Sequence, residues 1–207
     1  ERVNRTFLKR YNAEIHSQSA LEALLELREA HAFDPADVTR IELETFQVAY
    51  DIIGGGEEGG MKEISSKEEA DHSLPYLLAV ALLDGQVLPE QFAPARIVRP
   101  DVQTMLKRVD VRPSAGLSAR FPAEHGCRLT LHLADGTTLA AEKRDYEGFL
   151  TRPMGWDRAL QKFERLAERI DPELVAGLAE AVRTLDELDT NDLTALLAGA
   201  VTKTGAV

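Results

Sequence analysis

The sequence predicts an α+β fold followed by a purely helical tail, and three patterns carry that prediction. Val38 to Val48 alternates in polarity, with Ile41, Leu43 and Thr45 on one side and Arg40, Glu42 and Glu44 on the other, as a half-buried strand does. Cys127 to Leu133 alternates in the same way, and Asp135-Gly136 then supplies a hairpin turn that sends Thr137–Lys143 back antiparallel. From Trp156 onward only helical spacing is found. Residues 1–150 therefore read as an α+β unit and residues 151–207 as a helical tail.

The elements follow in order. Ser19-Ala20-Leu21-Glu22 predicts a capping box, and Leu21, Leu24, Leu25 and Leu27 give the helix it opens an apolar face that ends near His31 and Asp34-Pro35. The glycine-rich stretch from Gly54 to Gly60 carries two acids and no following Gly-Lys-Ser/Thr, so it reads as a mobile surface loop and not a phosphate cradle. Leu77 to Leu83 is apolar on every side, which predicts a buried helix closed by Asp84-Gly85. Pro89–Phe92 reads as a helical turn, Asp101–Val109 as a helix with Val102, Met105, Leu106 and Val109 on one face, and Val109–Arg112 as a brief strand. The tail holds helices over Ala159–Ile170, Glu173–Leu185 and Asp192–Val201. Trp156 and Phe163 read as core packing there, and the face bearing Leu166, Ile170, Leu174, Leu178, Val182 and Leu185 is expected to lack part of its partner.

Composition narrows the function. With 207 residues, 44% hydrophobic and 29% charged, the chain has the make-up of an ordinary globular protein. Its net charge of −11, from 35 acidic and 24 basic residues, argues against nucleic-acid binding, and even the densest arginine stretch (Arg96, Arg99, Arg108, Arg112, with Arg40 apart) is scattered. No run of about 18 uncharged apolar residues occurs, so no membrane span is expected. Cys127 is the only cysteine, which rules out an internal disulfide, fits a reducing cytoplasm and makes the Asn4-Arg5-Thr6 sequon a chance match. The chain starts at Glu1 without a methionine, which is expected of a processed start or of a piece of something longer.

Three ordered stretches resemble one enzyme family. Lys9 to Ala23 resembles a segment in which a lysine, an aromatic and a histidine precede a helix. Glu69-Ala70-Asp71-His72-Ser73-Leu74-Pro75-Tyr76, with the apolar helix and Leu83-Asp84-Gly85, resembles a second block. Tyr146-Glu147-Gly148, Pro153 to Asp157 and Lys162-Phe163 resemble a third. Together they identify the chain as similar to the C-terminal part of the MmgE/PrpD family, the 2-methylcitrate dehydratase group. That resemblance implies a cofactor-independent, typically dimeric, two-domain enzyme acting on small tricarboxylates. Its large N-terminal helical domain would be absent from this chain. The α+β part would be a lid with an antiparallel sheet, and the tail would return to the helical domain. The family's chemistries include dehydration of 2-methylcitrate, decarboxylation of cis-aconitate and epimerisation of an imino acid. The Asp71-His72-Ser73 block looks most like the dehydratase version.

Dehydrating a β-hydroxy tricarboxylate requires a base beside a carboxylate, an acid for the departing hydroxyl, and cations for the carboxylates. The resemblance assigns Lys9 to hold a carboxylate, His16 and His72 to move protons, and Gln18, Ser73 and Tyr76 to contact substrate, with Asp71 orienting His72. Some members carry the first histidine two positions later, where this chain has Gln18. Residue by residue, a plainer assignment stands beside each of these. Lys9 can be a solvated lysine and His16 a cap on its own helix; Asp71 or Ser73 can cap the next helix; His72 and Tyr76 can pack with satisfied polar tips. His125, Cys127 and His132 lack a further ligand at metal spacing, so no metal is expected and Cys127 reads as a small buried hydrophobe. Against the lyase stands a different class, a free-standing binding or regulatory module of the same fold. The catalytic base is expected in the absent domain, so this chain alone is expected to be inactive.

Overall fold

The computed structural model describes residues 6–56 and 63–203. It divides into two compact units, Glu1–Pro153 and Met154–Val207. In the first, a 3-10 turn over Ile15–Ser17 runs directly into helix α1 (Gln18–Ala30). Glu14 caps this turn, its Oε2 accepting from the His16 amide at 2.7 Å. The helical segment thus begins before Ser19, and the expected Ser19–Glu22 capping box does not form. Both residues fall inside α1 and are buried.

Strand β1 (Val38–Thr45) buries Ile41, Leu43 and Thr45 and turns Arg40 and Glu44 outward, as its alternation predicts. It stops at Thr45 and does not run on to Val48. Phe46 is fully buried, and Phe46 and Ala49 pack with Leu117 in a small separate core, while Ser118 Oγ accepts from the Gln47 amide at 2.8 Å. Those contacts bend residues 47–54 into a short helix, α2 (Gln47–Ala49), continued by a π turn over Tyr50–Gly54. Of the glycine-rich loop, residues 57–60 lie outside the described residues, as do residues 4 and 5 of the sequon.

A capping box does open α3 (Lys67–Asp71): Ser66 Oγ accepts from the Glu69 amide, and Glu69 returns to the Ser66 amide at 3.0 Å. Helix α4 (Leu74–Asp84) follows, capped by Ser73 and closed by Gly85 at φ +73°, a left-handed position that a side chain would strain. Eight of its residues are buried, as its uninterrupted apolar run predicts. Short helices α5 (Pro94–Ile97) and α6 (Pro100–Met105) lead to strand β2 (Val109–Pro113), then α7 (Ala115–Ser118), β3 (Cys127–Leu133) and β4 (Thr138–Lys143).

The strands form one sheet in the order β2-β1-β3-β4. β1–β3 and β3–β4 are antiparallel, the latter joined by the Asp135-Gly136 turn, with Gly136 at φ +89°. β2 pairs parallel to β1, so the sheet is mixed; the helical crossover between them, longer than any hairpin, permits that direction. Helix α1 packs against β3 and β4, and α4 packs against α1 and β2. Each fully buried Leu or Ile on that side, such as Leu21, Leu24, Leu77 and Ile41, is worth about 1.5–3 kcal/mol, so a one-residue slip of register is strongly disfavoured. The outward side chains of the strands pair with one another: Arg40 with Glu42 and Asp110, Arg112 with Asp110, and Arg128 with Glu44 and Glu142. Arg96 and Arg99 are likewise engaged, with Asp84 and Asp101.

The second unit comprises α8 (Trp156–Leu166), α9 (Pro172–Arg183) and α10 (Thr190–Lys203). Asp171 caps α9 by accepting from the Glu173 amide at 3.0 Å. Helix α8 has no buried residue, and Trp156 is 38% exposed. Trp156 and Phe163, expected in a core, instead line an open apolar groove with Leu178, Val182, Leu193 and Leu197. Among the described residues, no helix is long and apolar enough to cross a membrane.

Candidate functional site

The segment before α1 and the α3–α4 junction meet at an open depression of about 690 Å³. Lys9, Glu14, Asp71 and His72 supply its polar rim, and Phe7 and Ile15 its apolar wall. Two blocks more than fifty residues apart in sequence are thus brought together. Lys9 donates from Nζ to the Ala13 carbonyl at 2.9 Å, which curls residues 9–13 over the start of the helix. His72 is the most open of the candidates, with 56% of its side chain exposed. Its Nδ1 lies 3.2 Å from the Glu68 carbonyl and 4.0 Å from Asp71, so the backbone carbonyl, and not Asp71, orients the ring.

His16 stands just behind the rim. Its Nδ1 lies 2.7 Å from Glu14 Oε1, a contact whose angle falls short of a hydrogen bond. Burial works against ionisation of Glu14, but contacts from the His16 ring and the backbone amides outweigh it and hold the carboxyl below its ordinary value of 4.5. Glu14 is the polar partner that sequence reasoning missed, although an acid at the cap position before Ile15-His16 was there to be read.

The remaining candidates are enclosed. Gln18 is fully buried: its Oε1 accepts from the Tyr11 amide at 3.0 Å, and its Nε2 donates to the Tyr11 carbonyl at 3.2 Å. It thereby shapes the segment that carries Lys9 and His16. Ser73 is 2% exposed and caps α4, its Oγ accepting from the Tyr76 amide at 3.3 Å. Tyr76 is fully buried and donates its hydroxyl to the Gln91 carbonyl, and burial pushes its pKa up to about 12. In this unit Gln18, Ser73 and Tyr76 pack and position; Lys9 and His72 face outward.

Cys127 is fully enclosed, and burial raises its thiol to about 12. His132 faces Glu42 at 2.8 Å on the charged side of the sheet, away from Cys127 in kind and environment. Among the described residues, no group of three His, Cys, Asp or Glu side chains is placed to hold a metal ion.

Further along α1, Glu22 is fully buried. It accepts from Arg152 at 2.8 Å, from Lys143 at 3.0 Å and from the Glu147 amide at 2.8 Å, and Arg10 lies 3.9 Å away. Burial opposes its charge, but these donors outweigh burial and hold its carboxyl below the ordinary 4.5. Glu22 therefore ties residues 143–152 to α1.

Residues 11–187 match the family model described as the MmgE/PrpD C-terminal domain. Cis-aconitate decarboxylase of Mus musculus is 29% identical over 136 residues, 65% of this chain and 28% of that protein. The Homo sapiens protein of the same name shows the same identity and coverage. The 2-methylcitrate dehydratase of Cupriavidus necator is 28% identical over 192 residues, 83% of this chain and 37% of that protein. The chain thus spans between 28% and 37% of the length of these curated relatives.

Proposed function

The chain belongs to the MmgE/PrpD family, and from that premise we propose that it is the C-terminal part of a cofactor-independent lyase acting on small tricarboxylic acids. The observation that carries the reading is the convergence of Lys9 and His72 on one open depression beside His16. Lys9 holds a substrate carboxylate, and His72, more than half exposed, moves a proton to or from the reacting carbons or the departing hydroxyl. His16 acts with Glu14 as a second proton-transfer pair.

The depression has one lysine against the carboxylates of Glu14 and Asp71, so alone it is not electropositive. A tricarboxylate needs further cations, which we assign, with the catalytic base, to an N-terminal helical domain closing over this face. In the same assembly Gln18, Ser73 and Tyr76 hold the segments that bear Lys9 and His72, and two subunits pair. The reaction we favour is dehydration of 2-methylcitrate or a close analogue, because that relative aligns over the longer stretch of this chain. The second reading is cis-aconitate decarboxylation, favoured by the two decarboxylase relatives.

The experiment compares this chain with the full-length protein in an absorbance assay for dehydration of 2-methylcitrate and citrate, and in a decarboxylation assay on cis-aconitate. Turnover in the full-length protein alone is the expected result. Robust turnover by the 207-residue chain would overturn the shared-site reading. Inactivity of both on all three acids would remove the lyase assignment.

A further inference from the structure

His125 precedes β3 and packs directly on His16, with ring centroids 5.6 Å apart and planes inclined by 23°. It is 5% exposed, and aromatic rings wall it on its other sides: Phe149 at 4.9 Å, Phe46 and Phe121 at 5.3 Å, Phe7 at 6.0 Å and Tyr146 at 6.1 Å. The groups that titrate around it are His16, Glu14 and the buried Tyr146 hydroxyl. Burial, followed by the nearby charge of His16, lowers the His125 pKa to about 4, with Glu14 opposing. At neutral pH the ring on which His16 rests is therefore uncharged and does not repel a protonated His16. Phe46 meets the His16 ring edge-on at 5.5 Å and 64°, so stack and edge together limit its rotation.

We propose that His125 is a positioning residue for His16, its flat ring holding the His16 imidazole against Glu14 at the rim of the depression. The inference rests on the reading of His16 as a proton-transfer group. His125 Nδ1 has no hydrogen-bond partner among the described residues, so the ring face, and not a polar bond, does the positioning. A phenylalanine keeps that face, whereas a leucine fills the space without it.

The test is His125→Leu against His125→Phe in the full-length protein, with kcat, KM and a crystal structure of each. His125→Leu should lose about 10-fold to 100-fold in kcat with KM little changed, because a misplaced proton-transfer group costs rate and not binding. His125→Phe should recover most of the loss. In the crystals, His16 should leave Glu14 in the leucine variant and stay within contact in the phenylalanine variant. Equal specific activities for the two variants, or a His16 ring unmoved in His125→Leu, would overturn the proposal. If the wild-type protein turns over no tricarboxylate, the lyase reading fails, and the crystal comparison still decides the positioning claim.

Discussion

His16, before α1, has 15% of its side chain exposed and is pressed between His125, Phe46 and Glu14. His72, before α4, has 56% exposed and rests on one backbone carbonyl. Both precede a buried helix, and both lie near the same depression, yet one is enclosed by its neighbours and the other is exposed and held by a single carbonyl contact. The difference teaches that this site has an enclosed wall and an exposed arm. Around the wall, polar groups such as Glu22 and Gln18 are bound inward, and changing them should damage the fold. On the arm, changes should damage chemistry alone.

The largest effect is expected at Glu22, where Glu22→Ala leaves Lys143 and Arg152 without their buried partner. The loss should be about 3 kcal/mol in chemical denaturation, toward the low end for a broken buried pair because Arg152 is 42% exposed. An unchanged midpoint would erase the distinction between wall and arm. Acid sharpens the same point. Because the folded Glu22 carboxyl titrates below its ordinary 4.5, its stabilisation is complete above that pH and is lost as pH falls through the lowered value. Glu22→Gln should therefore flatten stability against pH below 4.5 relative to wild type.

Tyr76→Phe comes next. Removing the hydroxyl strands the buried Gln91 carbonyl and should cost about 1–2 kcal/mol, read from a thermal melt. A change in KM without a change in stability would move Tyr76 from the wall into the site. Ser73→Ala removes the α4 cap and should cost about 1 kcal/mol. His72→Ala should cost under about 0.5 kcal/mol in stability, as exposed positions do, and still cut kcat of the full-length protein by about 100-fold. Full activity in that variant would make the arm a surface histidine.

The fold was legible where burial follows sequence period. The alternation of β1 and β3, the hairpin glycine and the wholly apolar α4 all arise from local patterning that tertiary contacts reinforce. Reading failed where distant partners decide. Ser19 and Glu22 have the spacing of a capping box, but Lys143, Arg152 and Glu147, over 120 residues away, claim the Glu22 carboxylate. Likewise β1 stops at Thr45 because Phe46 meets Leu117 and Phe121, which no window of sequence contains. At the site, resemblance named two segments that the fold brings to one depression, but not which residues within them face outward. That depends on caps and enclosure: Ser73, Tyr76 and Gln18 turn in, while Lys9 and His72 line the depression. His125 was read as a doubtful metal ligand because its aromatic wall comes from four separate stretches of chain.

The central claim, that this domain contributes a carboxylate-binding cation to a lyase site, is tested most directly by Lys9→Ala in the full-length protein. Steady-state kinetics on 2-methylcitrate and cis-aconitate would be recorded beside a thermal melt. The account predicts a KM raised about tenfold or more, as loss of a charge-assisted contact implies, with the melting midpoint unchanged. Wild-type kinetics in a fully folded Lys9→Ala variant would contradict it and return Lys9 to a surface lysine tied to the Ala13 carbonyl.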